Sequence, residues 1–168
     1  MTSQTPMTAP EGGLDASGRR FAIAASRFNE AIVEGLLKGA RETLVELGAE
    51  EDSIEVYQVP GAFEIPAIAR RLVEESRFDA VICLGAVIRG ETPHFDYVAG
   101  ESARELAYLA ARSSIPVIYG ILTTDTIEQA QDRIEFREDG NKGSYAARAA
   151  VEMADLFARL KGSQAPDA

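Results

Sequence analysis

His94 is the only histidine among 168 residues. It lies in Gly90-Glu91-Thr92-Pro93-His94-Phe95, straight after the apolar run Ala80 to Ile88. An imidazole titrates near neutrality when unperturbed, so it can take and return protons under physiological conditions. A Gly- and Pro-punctuated loop at the end of a buried strand is also where scaffolds commonly carry chemistry. A lone loop histidine is more often just solvated; what singles out His94 is the company it keeps.

Phe28, in Ser26-Arg27-Phe28-Asn29, offers either a platform on which a flat heterocycle stacks or a hydrophobic staple onto a following helix. Phe63 and Glu64 pair an apolar wall with a hydrogen-bonding carboxylate, although a Glu in a first helical turn also simply matches the macrodipole. Gly90-Glu91-Thr92 ahead of a helix presents backbone N–H groups to a phosphate. Arg133 is either a charge-assisted clamp on such an anion or a solvated helical arginine. Asn141-Lys142-Gly143 marks where one helix ends and another begins. One His and one Cys cannot build a zinc site, and the chain has no P-loop, GxGxxG or GxSxG elbow.

Net charge is −10 and the pI about 4.6, which argues against nucleic acid or an anionic membrane as the main partner. A small phosphorylated ligand needs only a local positive site and stays open. Hydrophobic content of 46% with 26% charged residues is that of an ordinary globular domain. Residues 1–18, rich in Thr, Ser, Pro and Gly, are expected to form a flexible tail, followed by one domain over 19–161 and a short tail over 162–168. No run is long enough to span a membrane, and a cytoplasmic location is expected. Cys83, inside an apolar run, reads as a small buried hydrophobe.

The elements that must position these residues alternate. Phe21 to Ala25 is a short apolar strand, and Asn29 is placed to cap a helix carrying Val33, Leu36, Leu37, Ala40, Leu44 and Leu47 at helical spacing, with Gly48 as its stop. Ile54 to Val59 is a strand ending at Pro60-Gly61, and a helix is expected from about 64 to 76. Ala80 to Ile88 lacks polar alternation, as a strand covered on both faces does. A helix over about 96–112 and a strand over 116–122 follow. Asp125 with Glu128 resembles a capping box for the next helix, which breaks near 139–143 before an Ala-rich helix to about Leu160. Four strand–helix alternations imply an α/β fold, a three-layer αβα sandwich around a parallel four-stranded sheet. Such a sheet binds ligands beyond the carboxyl ends of its strands. Those ends carry Phe28, then Ala62-Phe63-Glu64, then Ala86 to His94, then Thr123-Thr124.

Taken in order, Arg27-Phe28-Asn29, Val59-Pro60-Gly61-Ala62-Phe63-Glu64-Ile65-Pro66, Leu84 to Gly90, Thr92-Pro93-His94-Phe95, Pro116 to Gly120 with Thr123-Thr124, and Gly140-Asn141-Lys142-Gly143 resemble the lumazine synthase family. The resemblance runs from about Phe21 to Phe157. It implies a flavodoxin-like fold, an N-terminal segment able to add a strand to a neighbouring subunit, and the penultimate step of riboflavin biosynthesis. In that step 5-amino-6-(D-ribitylamino)uracil and 3,4-dihydroxy-2-butanone 4-phosphate give 6,7-dimethyl-8-ribityllumazine, phosphate and water. No cofactor or metal is implied. A flavin- or lumazine-binding protein with lost or minor turnover is the alternative.

The resemblance also implies roles. Phe28 stacks on the pyrimidine, and the backbone of Ala86, Val87 and Ile88 bonds the ring edge. Ala62, Phe63 and Glu64 line the ribityl side. Glu91 and Thr92 hold the phosphate through backbone groups with Arg133, and His94 carries protons. Tyr119 and Lys142 border a neighbouring subunit's site. Glu91 stands where a small residue is common and is expected to use only its N–H. Tyr119 replaces a frequent Phe. The link Ile134 to Asp139 is longer and less Gly/Lys-rich than in shell-forming members. A pentamer, or paired pentamers, is therefore expected in place of a sixty-subunit shell, with riboflavin synthase as a functional partner.

Overall fold

The computed structural model describes residues 12–135 and 140–162. Four strands, β1 (Phe21–Ser26), β2 (Ile54–Val59), β3 (Ala80–Ile88) and β4 (Val117–Thr124), form one sheet in the order β2-β1-β3-β4. Every pairing is parallel. The two central strands are the two runs without polar alternation: every residue of β1 and all of β3 but Ile88 are buried. A strand covered on both faces has no solvent side to keep polar.

Helices α1 (Glu30–Glu46) and α5 (Lys142–Gly162) cover one face, α2 (Ile65–Glu74) and α3 (His94–Ala110) the other, and the short α4 (Ile127–Asp132) follows β4. Leu36 and Leu44 of α1 pack with Ile23, Ile82 and Val151 on the first side. Ile65 and Leu72 of α2 pack with Val81, Cys83 and Leu106 on the second. The α/β sandwich with a flavodoxin-like strand order is as expected.

The chain leaves β1 toward β2 on one side and returns to β3 on the other. The sheet's switch point therefore lies between β1 and β3, where a crevice opens beyond the strand ends. At the end of α1, Gly48 (φ +105°) takes the left-handed conformation. Its N–H donates to Val45 O and that of Ala49 to Leu44 O, both at 2.9 Å, which completes a Schellman stop.

Several boundaries differ from expectation. α3 starts at His94, not near Asp96, because Pro93 with its fixed φ and absent N–H opens a helix without cost. β4 runs on through Thr123 and Thr124 because β3 remains beside it to Ile88. The helix after it is capped by Thr126, whose Oγ1 accepts from Gln129 N, one residue beyond the expected Asp125. Residues 14–19 are docked, not free: Ala16 is fully buried and its N–H donates to Leu47 O at 2.8 Å. The earlier part of the expected N-terminal tail, nearly all of the C-terminal one, and Phe136 to Asp139 of the link lie outside the described residues. Among the described residues no helix is long and apolar enough to cross a membrane.

Candidate active site

A cleft of about 700 Å³ opens at the switch point. Its walls come from four segments, each delivered by the end of a strand: Phe28 and Asn29 after β1, residues 60–64 after β2, residues 86–88 at the tip of β3, and Gly90 to Val98 beyond it.

The β1 loop is held in place by backbone bonds. Arg27 N donates to Val59 O at 2.8 Å and Phe28 N to Pro60 O at 3.1 Å, so the loops after β1 and β2 are joined. Asn29 sits at the head of α1 in the left-handed region, φ 59°, which Asn tolerates better than most residues. Its side chain does not cap α1. Its Nδ2 donates instead to Ala86 O at 2.8 Å, tying this loop to the end of β3. The expected cap is thus replaced by a cross-cleft tie, while the Asn29 carbonyl accepts the first helical bonds. Phe28 is 72% exposed, which rules out a staple packed on α1 and leaves an open ring face at the cleft.

Beyond Leu84, β3 outruns β1. Its pairing with β1 ends at Ala25–Leu84, whereas its pairing with β4 continues to Ile88–Thr124. One edge of residues 86–88 therefore has no strand beside it and faces the crevice, with Ala86 O already taken by Asn29 Nδ2. Opposite, Ala62 to Glu64 form a single 3₁₀ turn that leads into α2. The Glu64 carboxylate folds back over Gly61, where an added Cβ would lie 3.1 Å from Oε2.

The segment from β3 to α3 supplies His94, the first residue of α3 and exposed at the cleft. Among the described residues, the N–H groups of Gly90, Glu91 and Thr92 donate to no acceptor. These free donors come just before Pro93 and His94 in the chain, and unpaired backbone N–H groups ahead of a helix suit an anion. Tyr97 and Val98 join His94 in the lining. Both are new to the site, and the signal was present: positions three and four after His94 share its helical face. Asn29, Pro60, Gly61, Gly90 and Phe95 complete the lining.

The cleft thus gathers Phe28, Ala62, Phe63, Glu64, Ala86, Val87, Ile88, Thr92 and His94. It does not gather Glu91, Tyr119, Arg133 or Lys142. Glu91 belongs to the donor loop, but its side chain is outside the lining. Tyr119 lies on the edge strand β4, 43% exposed, with its hydroxyl pKa raised by partial burial and lowered in part by a hydrogen bond with Ser102. Arg133 follows α4 and donates from Nη1 to Gln129 O at 2.8 Å. Lys142 opens α5 with its ammonium 4.4 Å from the Tyr145 ring centroid. The last two are linked, Lys142 N donating to Arg133 O at 2.8 Å. Among the described residues, then, no Lys or Arg lines the cleft, and Glu64 is its one carboxylate.

Cys83 plays no part here. It is fully buried, and that burial pushes its thiol up to about 12. Among the described residues there is no cluster of three or more His, Cys, Asp or Glu able to hold a metal.

Residues 18–158 match the family profile described as 6,7-dimethyl-8-ribityllumazine synthase. A protein of that name from Clostridium kluyveri is 53% identical over 151 residues, covering 90% of this chain and 97% of the relative. Another from Syntrophus aciditrophicus is 51% identical over 153 residues, covering 91% and 99% respectively. A third, from Desulfatibacillum aliphaticivorans, is 51% identical over 151 residues, with 90% and 97% covered.

Proposed function

The chain belongs to the 6,7-dimethyl-8-ribityllumazine synthase family, and from that premise we propose how its cleft is completed and used. The reaction is the condensation of 5-amino-6-(D-ribitylamino)uracil with 3,4-dihydroxy-2-butanone 4-phosphate in riboflavin biosynthesis. One observation carries the proposal. Among the described residues, the cleft holds an aromatic platform, free N–H donors and an imidazole, yet no cation to balance a phosphate dianion. The chain's candidate cations, Arg133 and Lys142, sit together at the α4–α5 junction outside it. A neighbouring copy supplies them, with its Tyr119 as a wall. Each interface of a head-to-tail ring can carry one such shared site.

In this arrangement Phe28 stacks on the pyrimidine while the free edge of residues 86–88 bonds its polar rim. Glu64 accepts hydroxyls of the ribityl chain beside Ala62 and Phe63. The N–H groups of Glu91 and Thr92 hold the phosphate, and the Glu91 side chain stays turned away, because a carboxylate there would repel it.

The substrate's 5-amino group attacks the ketone, and a first water leaves to form an imine. His94 takes the proton adjacent to the imine, and phosphate departs as the C–O bond breaks. After tautomerisation the ribitylamino nitrogen attacks the remaining carbonyl, and loss of a second water closes the ring. Each step moves protons, and alignment of the amine with the ketone supplies most of the acceleration. The protein works in the cytoplasm and hands its product to riboflavin synthase.

The test is complementation. His94→Ala and Arg133→Met are each impaired alone. Mixed oligomers of the two regain activity, with about a quarter of sites intact on random mixing, if imidazole and guanidinium come from different copies. Mixtures no more active than the weighted mean of the two variants would place both groups in one chain and overturn the shared site.

A further inference from the structure

The segment between β3 and α3 must hold both the free N–H donors and His94, yet its backbone is scarcely tied down. Among the described residues, the bonds that fix it are Arg89 N to Thr124 O at 2.9 Å and the turn bond from Asp96 N to Pro93 O at 3.0 Å. Gly90 has nothing within 4 Å of where a Cβ would lie, so packing does not confine it either. What spans the segment is one side chain. Arg89 donates from Nε to Asp125 Oδ1 at 2.7 Å and from Nη1 to Asp96 Oδ1 at 3.3 Å. Its guanidinium carbon also lies 4.2 Å from the centroid of the Phe95 ring.

These contacts come from two places in the fold, the end of β4 and the first turn of α3. Asp125 follows β4, Asp96 is in the first turn of α3, and Phe95 sits between His94 and Asp96. Arg89 itself closes β3 and is not part of the cleft lining. A planar fork with donors pointing in separate directions can meet two carboxylates while its face covers a ring; a single ammonium cannot. Both carboxylates raise the guanidinium's pKa, so it is charged at any pH at which the enzyme works.

We propose that Arg89 is the positioning residue of this site: by clamping the end of β4 to the first turn of α3 across the β3 tip, it fixes the phosphate-binding N–H groups against His94. The proposal rests on the reading of those groups as the phosphate holder. Arg89 acts through the loop and touches neither substrate. Its loss therefore weakens the phosphate side of the cleft selectively, leaving the Phe28 and Glu64 side intact.

The experiment compares wild type with Arg89→Met and Arg89→Lys. It measures KM for each substrate, kcat, and inhibition by inorganic phosphate. In wild type, inorganic phosphate competes with the butanone phosphate; if it does not, the phosphate reading of the loop falls, and the role of Arg89 with it. Given competition, Arg89→Met is expected to raise the phosphate inhibition constant and the KM of the butanone phosphate each about tenfold. The KM of the ribitylaminouracil stays within about twofold, and kcat falls. Arg89→Lys retains the charge and is expected to recover little of this. Unchanged constants, equal losses for both substrates, or full rescue by lysine would each overturn the clamp while leaving the phosphate reading standing. If Arg89→Met does not fold, the double variant Asp96→Ala, Asp125→Ala removes the clamp's acceptors with Arg89 in place, and the same selective loss is expected.

Discussion

A benzyl ring left 72% exposed at the rim of a cleft gains little from the folded chain itself. Phe28 is held there by backbone bonds to the next loop, so its exposure is built in, and a stacking ligand is what would use it. His94 is different: it is placed to move protons, and the condensation of an amine with a ketone proceeds slowly without any base. His94→Ala is therefore expected to lower single-turnover lumazine formation by about a hundredfold, the low end of general acid–base contributions, with binding of the ribitylaminouracil unchanged. A variant as fast as wild type would remove the imidazole from the mechanism. Their places after strand ends drew attention to Phe28, Glu64 and His94, and all three line the cleft. Residue types misassigned Asn29 and Asp125, because cap preference states which side chain can accept from a helix, not whether a better partner stands nearby. Asn29 found Ala86 O across the cleft, and Asp125 found the Arg89 guanidinium.

The helix junction shows the same lesson among elements. Asn141-Lys142-Gly143 was legible as a boundary, but its role as a lock was not, since the partner that makes it one, Gly35, is 106 residues away. Asn141 is 1% exposed. Its Oδ1 accepts from Gly143 N at 2.8 Å and Ser144 N at 3.2 Å, capping α5. Its Nδ2 donates to Gly35 O at 3.0 Å and Ile134 O at 2.7 Å, pinning α5 and the end of the α4 segment onto α1. Gly143 must be glycine because a Cβ would fall 1.9 Å from Leu36 O. Asn141→Ala leaves buried donors and acceptors unpaired and is expected to cost about 3 kcal/mol in denaturant unfolding. Because the same junction carries Arg133 and Lys142, the KM of the butanone phosphate should rise as well. A loss of stability with that constant unchanged would separate the lock from the site. At the far side of the sheet, Arg77 donates to both oxygens of Glu55, and the Tyr57 hydroxyl donates to Oε2 at 2.7 Å. These bonds, the Arg77 guanidinium foremost, hold the Glu55 carboxyl down to about 2 from 4.5. A depressed carboxylate stabilises the fold fully above its unfolded pKa and stops doing so as pH falls through the folded one. The gap in melting temperature between wild type and Glu55→Gln should hold steady above pH 4.5 and close on the way down to about 2. A gap independent of pH would detach the network from stability.

For the whole molecule, the parallel sheet and a cleft beyond its strands' carboxyl ends followed from strand–helix alternation, while the flavodoxin-like order came with the family resemblance. The order of a single chain does not reveal whether another copy contributes to the site. Among the described residues the cleft has donors and a base but no cation, while Arg133 and Lys142 lie elsewhere, and the proposed shared site joins the two. The surfaces also carry rings that the chain leaves open, Phe63 at 57% and Tyr97 at 68% beside the cleft and Tyr119 at 43% on the edge strand. A contact between two different surfaces propagates around a ring and closes without leaving an unfilled site. Whether such rings then build a shell is expected, from the family resemblance, to depend on the helix link around α4. Here α4 is only six residues long, ending at Asp132, and α5 does not begin until Lys142. The intervening stretch carries Glu135, Glu138 and Asp139 against Arg133 and Arg137. The expected particle is a pentamer or a pair of pentamers. Chains of 18.1 kDa give about 90 kDa for five and about 180 kDa for ten, against roughly 1.1 MDa for sixty. Light scattering on the purified protein decides it: a mass near a megadalton would show that this link admits a shell after all, and a stable monomer with full activity would dismantle the shared site as well.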